Sequence, residues 1–254
     1  MRFKDRVAII TAAASGIGRA TAEIMAREDA MIVGVDTDST RLDAMVAEIT
    51  AAGGKATGRV VDALDHSQVE ALVPSVVRDF GAVDILVNAV GGSTVIGHPA
   101  AAVDALTIAE WRKLIAFNLE GTFLFCHAVV PEMKRQGRGK IVNLASIAGR
   151  GLSASSSSAY AAAKGGIIAF MRKLAFELGP FGINVNAIAP SLTLTERIRP
   201  RWNQRAPDER AAEIARTPLR RVAEAMDQAR VICFLASPDA DFVTGVTIDV
   251  SGGL

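Results

Sequence analysis

Two hydrophobic periods alternate along this chain, and that alternation restricts its fold more than any other feature. Short apolar runs read as strands: VAIIT (7–11), MIVGVD (31–36), ATGRVVD (56–62), VDILVN (83–88), residues 140–145, INVNAIA (183–189) and VTIDV (246–250). Stripes of helical period lie between them. One runs from Ile17 to Glu28, one through Leu42, Met45, Val46 and Ile49 to a stop at Gly53-Gly54, and one through Val69, Leu72, Val76 and Val77. Two more are expected around 107–117 and 121–136, then one from Tyr160 to Leu178 and one around 224–236. Strands buried on both faces read as near-continuous apolar runs, and crossovers between parallel strands are right-handed. The pattern therefore predicts an α/β chain: a doubly wound parallel sheet in a three-layer α/β/α arrangement. Neither a repeat nor a linker divides residues 1–254, which are expected to form a single domain.

In an open parallel sheet, ligands sit in the crevice beyond the carboxyl ends of the strands. Polar and conformationally special residues collect at that end. Ser15-Gly16-Ile17-Gly18 follows the first strand; Asp36, Asp62, Asn88 and Ser146 end the next four, and Pro190 follows the sixth. In TAAASGIGRA (11–20), Gly16 and Gly18 would let backbone amides approach a pyrophosphate at a helix N-terminus, where the dipole favours anions. A small-residue turn for close strand–helix packing is the other reading. Asp36 adds to the first: a carboxylate there hydrogen-bonds an adenosine ribose diol and repels a 2′-phosphate. With no Lys or Arg at 15 or 37, the expected cofactor is NAD(H) rather than NADP(H).

Tyr160 and Lys164 stand four residues apart on the helix after the fifth strand, which puts phenol and ammonium on one face. A nearby cation favours the phenolate, so the Tyr160 pKa is expected below its ordinary value of about 10. Such a tyrosine can act as a general acid–base, with Ser146 bonded to the same substrate oxygen. Taken alone, the spacing also suits a surface tyrosine beside a serine loop.

Composition removes other classes. A net charge of +1 offers no electrostatic footprint for nucleic acid or an acidic membrane surface. Apolar runs are broken before 18 residues, so no membrane span is expected. The apolar start is short, reads as the first strand, and is followed by no signal-peptide cleavage pattern. Cys126 and Cys233 sit in apolar helical contexts and read as free thiols in a reducing, cytoplasmic setting. His66, His98 and His127 lack metal-ligand spacing, and no metal site is expected.

Together these residues resemble the short-chain dehydrogenase/reductase (SDR) family from about Arg6 to the C-terminus. Its TGxxxGxG turn appears as Thr11-Ala12-Ala13-Ala14-Ser15-Gly16-Ile17-Gly18, and its NNAG stretch as Asn88-Ala89-Val90-Gly91. The resemblance implies a Rossmann-type fold and a catalytic Asn118, Ser146, Tyr160 and Lys164. It implies cofactor contacts at Ser15, Gly16, Ile17, Gly18, Asp36, Asp62, Ala63, Asn88, Ala89, Tyr160, Lys164, Pro190, Thr193 and Thr195. By the same resemblance Asn118 holds a water in a proton relay ending at Lys164, and the protein is a homotetramer. Three positions depart from the pattern. Ala12 replaces a glycine, which a methyl tolerates if φ is negative; Ser191 replaces a glycine; Ser251 replaces an acid.

The activity implied is hydride transfer between NAD(H) and a secondary alcohol or ketone. A 3-oxoacyl carrier-protein reductase and a non-catalytic dinucleotide sensor are the alternatives. Residues 191–221 occupy the place of a substrate lid and carry Arg197, Arg199, Arg201, Arg205, Arg210, Arg216, Arg220 and Arg221. Guanidinium suits bidentate anion binding, which would fit an anionic substrate; a solvated helix pair neutralised by Asp208, Glu209 and Glu213 is the plainer reading. Trp202 either caps an apolar pocket or anchors the lid. Ser153 to Ser158 face the substrate by position, and His98 reads as a plain loop residue.

Overall fold

Strands β1 (Val7–Thr11), β2 (Met31–Asp36), β3 (Lys55–Val60), β4 (Ile85–Asn88), β5 (Gly139–Leu144) and β6 (Ile183–Pro190) belong to one parallel sheet in this computed structural model. β7 (Thr193–Leu194) and β8 (Ala223–Glu224) pair separately, and β9 (Thr247–Val250) completes the main sheet in the order β3-β2-β1-β4-β5-β6-β9. The structure describes residues 1–153 and 155–254, so Ala154 of the predicted serine loop lies outside the described residues. The order reverses between β1 and β4, which opens a crevice at the carboxyl ends of those two strands.

Alternation along β1 shows how the sheet is covered on both sides. Val7 and Ile9 face a core built with Val69, Leu72 and Val76 of α3 (His66–Phe80), Phe125 and Val129 of α5 (Gly121–Gln136), and Ile167 and Met171 of α6 (Ser158–Leu178). Ala8 and Ile10 face the opposite core, formed with Met25 of α1 (Gly16–Arg27), Leu42, Met45 and Ile49 of α2 (Ser39–Ala51), and Ile232 and Cys233 of α9 (Ala225–Leu235). Side chains of successive strand residues point to opposite faces, so a continuous apolar run suits a strand with a core on each side.

Local chemistry sets the helix ends. Asp38 and Asp65 accept the backbone N–H of Arg41 and Gln68 and cap α2 and α3. Thr107 and Glu110 form a capping box on α4 (Ile108–Ile115). Such caps satisfy amides that the first turn leaves without partners.

Two expectations change. The third strand ends at Val60, where the Val61 amide makes the last ladder bond to the Asp36 carbonyl (3.1 Å); Asp62 therefore stands two residues beyond it. The helices expected around 107–117 and 121–136 are one rod, α4 and α5 joined by a π-helical turn over Ala116–Glu120. That rod, Ile108–Gln136, passes for a membrane span by length and composition only, a test that the core helix of a globular protein passes as well. Its buried Leu124, Phe125, Val129 and Met133 pack into the core beside the sheet.

The lid region holds β7, α7 (Arg199–Gln204) and α8 (Pro207–Arg216). Trp202 is buried under Arg205 and does not line the crevice, so it anchors the lid.

Candidate cofactor and catalytic cleft

The crevice is a cavity of about 420 Å³ at the carboxyl ends of the strands. Ser15, Gly16, Ile17, Gly18, Asp36, Asp62, Ala63, Ala89, Ser146, Tyr160, Lys164, Pro190, Thr193 and Thr195 all line it. Asn88 and Asn118 do not.

Its floor on one side is the β1–α1 turn. Ser15 is extended (φ −157°) and starts α1, and Gly16 has φ +57°, a left-handed conformation that glycine adopts without strain. A Cβ on Gly18 would lie 2.3 Å from the Ala12 carbonyl oxygen, so only glycine lets the helix come this close to the strand end. The expectation for Ala12 is corrected: its φ is +50°, not negative. The chain places an alanine in a conformation that costs a side-chain-bearing residue about 1–2 kcal/mol. The turn tolerates it because its neighbours are tied down. Ala13 N–H donates to Val35 O (3.2 Å) and Ala14 N–H to Asp36 Oδ2 (3.1 Å). Asp36 also accepts from Thr37 and Asp38 amides through Oδ1 (2.8 and 3.1 Å), which orients its carboxylate at the tip of β2. Asp62 Oδ1 accepts the Leu64 amide (2.9 Å) at the outer edge of the crevice.

The opposite wall holds Ser146, Tyr160 and Lys164. Ser146 follows β5, and its Oγ accepts the Ala148 amide (3.1 Å) at the start of a short 3₁₀ turn. Ser157 caps α6 by accepting from Tyr160 N–H (3.3 Å), so the helix begins directly beside that serine. Lys164 is buried, and its Nζ donates to Leu144 O (2.7 Å), the only partner it has among the described residues. It lies 5.9 Å from the centre of the Tyr160 ring. An ammonium has three donors, so two remain for a ligand.

The expected direction for Tyr160 is overturned. Burial pushes its pKa above the ordinary value; the Ser146 hydroxyl and the charge of Arg197 oppose this without reversing it. Lys164 is itself moved, down to about 7, by burial and then by the Arg197 charge. An ammonium that is costly to keep charged is a weak source of the field that would lower a phenol.

Asn118 and Asn88 differ from the expectation in orientation. Asn118 lies in the π-helical turn, fully buried. Its Oδ1 accepts the Gly92 amide (2.8 Å), and its Nδ2 donates to Gly92 O (3.2 Å) and Leu114 O (2.9 Å). The side chain is thus committed to the loop after β4. Asn88 points beneath the crevice, where its Nδ2 donates to Asn143 Oδ1 (2.9 Å) and to Cys126 Sγ (3.3 Å). Burial pushes the Cys126 thiol up to about 12, which makes it inert. Thr11 holds this loop from below, its Oγ1 accepting the amides of Ala89 and Val90 (2.9 and 3.2 Å).

Residues of the 191–221 segment border the crevice. Thr193 is fixed at the base of that segment, donating to Ser191 O (3.0 Å) and accepting from Gln228 Nε2 (3.3 Å). Arg199, Arg216 and Arg221 pair with Glu224, Glu213 and Asp227. Arg216 lines the crevice in that pairing, and Arg197 reaches into it without a carboxylate partner among the described residues, its Nη2 donating to Gly91 O (2.8 Å). Solvent touches its side chain along the open cleft, while protein surrounds it at longer range. Sequence reasoning did not separate Arg197 from its neighbours, nor did it find Glu196, whose Oε2 accepts the Gly16 amide (2.8 Å). The one available signal was their position directly after Thr195. His98 is exposed and outside the crevice.

The residues fit a nicotinamide dinucleotide. A first-turn amide of α1 faces the crevice, a carboxylate stands at the tip of β2, and a buried lysine keeps free donors. Gly91 leaves a cradle that a Cβ would fill, 2.8 Å from both Asn118 Oδ1 and Lys164 Nζ.

Comparison with known proteins agrees. A family model described as enoyl-(acyl carrier protein) reductase matches residues 11–254. Levodione reductase of Leifsonia aquatica is 38% identical over 259 residues, covering 99% of this chain and 95% of the relative. Cis-4-hydroxycyclohexanecarboxylate dehydrogenase of Sinomonas cyclohexanicum is 37% identical over 251 residues, covering 99% and 97%. A crystal structure of a 3-oxoacyl-[acyl-carrier protein] reductase with bound NAD from Brucella melitensis superposes with a TM-score of 0.89 at 35% identity, covering 100% of this chain and 92% of that one. With its parallel sheet, its glycine turn and these relatives over nearly its whole length, the chain belongs to the short-chain dehydrogenase/reductase family, whose members are oxidoreductases that bind nicotinamide dinucleotides.

Proposed function

We propose that this protein interconverts a secondary alcohol and its ketone with NAD(H), using Tyr160 as the general acid–base. The observation that carries the reading is the meeting of Ser146, Tyr160 and Lys164 on one wall of a crevice that has Asp36 at its far end. The nicotinamide, when bound, supplies the hydride acceptor or donor. In the oxidative direction the Tyr160 phenolate oxygen takes the proton of the substrate hydroxyl. Ser146 Oγ donates a hydrogen bond to the same oxygen and holds it in place. Lys164 keeps one N–H on Leu144 O, and its remaining donors suit a ribose diol. A phenolate forming beside it favours its ammonium form, so the two ionisations support each other. Asn118 acts as a positioning residue that fixes Gly92.

Ser15, Gly16, Ile17 and Gly18 would hold the pyrophosphate, and Asp36 the adenosine ribose, which selects NAD(H) over NADP(H). Asp62 and Ala63 border the adenine end; Ala89, Pro190, Thr193 and Thr195 border the nicotinamide end. The substrate is assigned an anionic group, because of the two lid arginines that line the crevice Arg216 is paired with Glu213, while Arg197 has no carboxylate partner among the described residues. One relative is named for a hydroxycarboxylate, which agrees. A cytoplasmic homotetramer is the proposed form: Phe123 on α5 and Phe176 on α6 are exposed, which suits a contact between subunits.

A carrier-protein reductase is the second reading, favoured by the NAD-bound relative. Initial velocities with NAD and NADP, over secondary alcohols with and without a carboxylate, separate these. Turnover with NAD that is highest for the hydroxy acids, and that Tyr160→Phe lowers by orders of magnitude while NADH still binds, supports the assignment. Near-normal activity in Tyr160→Phe sinks it, and a preference for NADP(H) moves the carrier reductase to first place. Turnover of any kind removes a purely sensing role.

A further inference from the structure

Glu196 stands where a carboxylate is least expected in a dinucleotide site. Its Oε2 accepts the Gly16 amide at 2.8 Å, the first backbone donor of α1. No cation pairs with it among the described residues; this N–H is its polar partner. The contact is built in by the lid. Thr195 packs its methyl group over Gly16, where a Cβ would meet Thr195 Cγ2 at 3.1 Å. The Ile198 and Arg199 amides both donate to Thr195 O (3.0 and 2.8 Å), which sets the turn that directs Glu196 towards α1. The next residue, Arg197, reaches Gly91 O on the opposite side of the crevice. The strap between β7 and α7 is therefore pinned to the β1–α1 turn at one end and to the loop after β4 at the other.

Helix N-termini attract anions because their amides lack partners and the dipole is positive there. A pyrophosphate placed at this turn needs the donor that Glu196 already uses. One N–H cannot serve two anions at full strength, and a carboxylate held beside a phosphate repels it.

We propose that Glu196 is an internal competitor of the cofactor pyrophosphate, a latch carboxylate that must leave Gly16 before the dinucleotide seats, and that it thereby sets cofactor affinity. This rests on the dinucleotide-binding reading of the cleft. It also gives the lid a defined trigger, since the ligand that displaces Glu196 frees one of the strap's two anchors.

The test is direct binding to the full-length protein. NADH is titrated by fluorescence, and ADP-ribose and adenosine by calorimetry, for wild type, Glu196→Gln and Glu196→Ala. Both variants are expected to bind NADH and ADP-ribose about tenfold more tightly, a step equivalent to about 1.4 kcal/mol. Adenosine, which has no phosphate, is expected to bind all three proteins equally. Equal or weaker ADP-ribose binding by both variants, with wild type binding NADH normally, overturns the latch and leaves the cofactor reading intact. Tighter binding of adenosine as well also overturns it, because the effect then does not act through phosphate. If wild type binds neither NADH nor ADP-ribose, the dinucleotide reading falls and the latch falls with it.

Discussion

Gly18→Ala is the sharpest test of the turn that shapes the cleft. At an ordinary position in the first turns of a helix, this change would stabilise by about 1 kcal/mol, since alanine is the better helix former. Here the added Cβ would lie 2.3 Å from Ala12 O, and 2.8 Å from both Ala12 C and Thr11 O. Those distances are about 1 Å or more inside ordinary contact, and every atom met is backbone, which cannot rotate away. Relief requires α1 to move off the end of β1. Overpacking of this kind costs about 1–3 kcal/mol. Moving the strand end also strains the bonds from Thr11 Oγ1 to the Ala89 and Val90 amides, each contributing about 1 kcal/mol. After the propensity gain is subtracted, the net loss is about 2–4 kcal/mol. In a domain of this size each kcal/mol moves the midpoint by about 2–4 °C, so thermal unfolding followed by circular dichroism should fall by about 5–15 °C. NADH titration should show weakened binding in the same variant, because the displaced amides belong to the proposed phosphate site. A variant that melts at or above wild type would refute the close approach of helix and strand on which the reading of this turn depends.

Other perturbations test the remaining parts of the site. Ala12→Gly should stabilise the protein by about 0.5–1 kcal/mol in urea unfolding, because it relieves the left-handed alanine and loses only part of that gain to the freer unfolded chain. Asp36→Ala should raise kcat/KM for NADP relative to NAD by about tenfold or more, since it removes the group that repels a 2′-phosphate; an unchanged ratio would clear Asp36 of that role. Lys164 has a folded pKa lowered to about 7 from 10.5. Between those values the unfolded chain holds the extra proton, so the burden of burying Lys164 is greatest below pH about 7 and fades as pH rises towards 10.5. Lys164→Met should therefore be more favourable relative to wild type at pH about 6 than at pH about 10, by about 1–3 kcal/mol in paired urea melts. A difference that does not vary with pH would show that Lys164 is charged at no cost.

The strand runs, the glycine turn and the polar residues at the strand ends were legible in the sequence because each depends on local constraints. Period, turn chemistry and the requirement to bury both faces of a parallel sheet are properties of short segments. They placed Ser146, Tyr160, Lys164, Asp36 and Gly16 on one rim without reference to any distant contact. What tertiary structure alone decided depends on neighbours far away in sequence. Asn88 and Asn118 have the residue type of site ligands, yet one is turned under the crevice by Asn143 and the other is committed to Gly92. The sign of the Tyr160 shift follows from how much protein surrounds the phenol, and spacing on a helix carries no information about that. The left-handed Ala12 is imposed by bonds from the turn to β2. Glu196 meets Gly16 only because the lid, 180 residues further along the chain, folds back over the first helix. Local sequence thus determined which groups reach the rim, and packing decided their orientation, their charge and which of them already has a partner, because desolvation and hydrogen bonding are set by the atoms that surround a group in space.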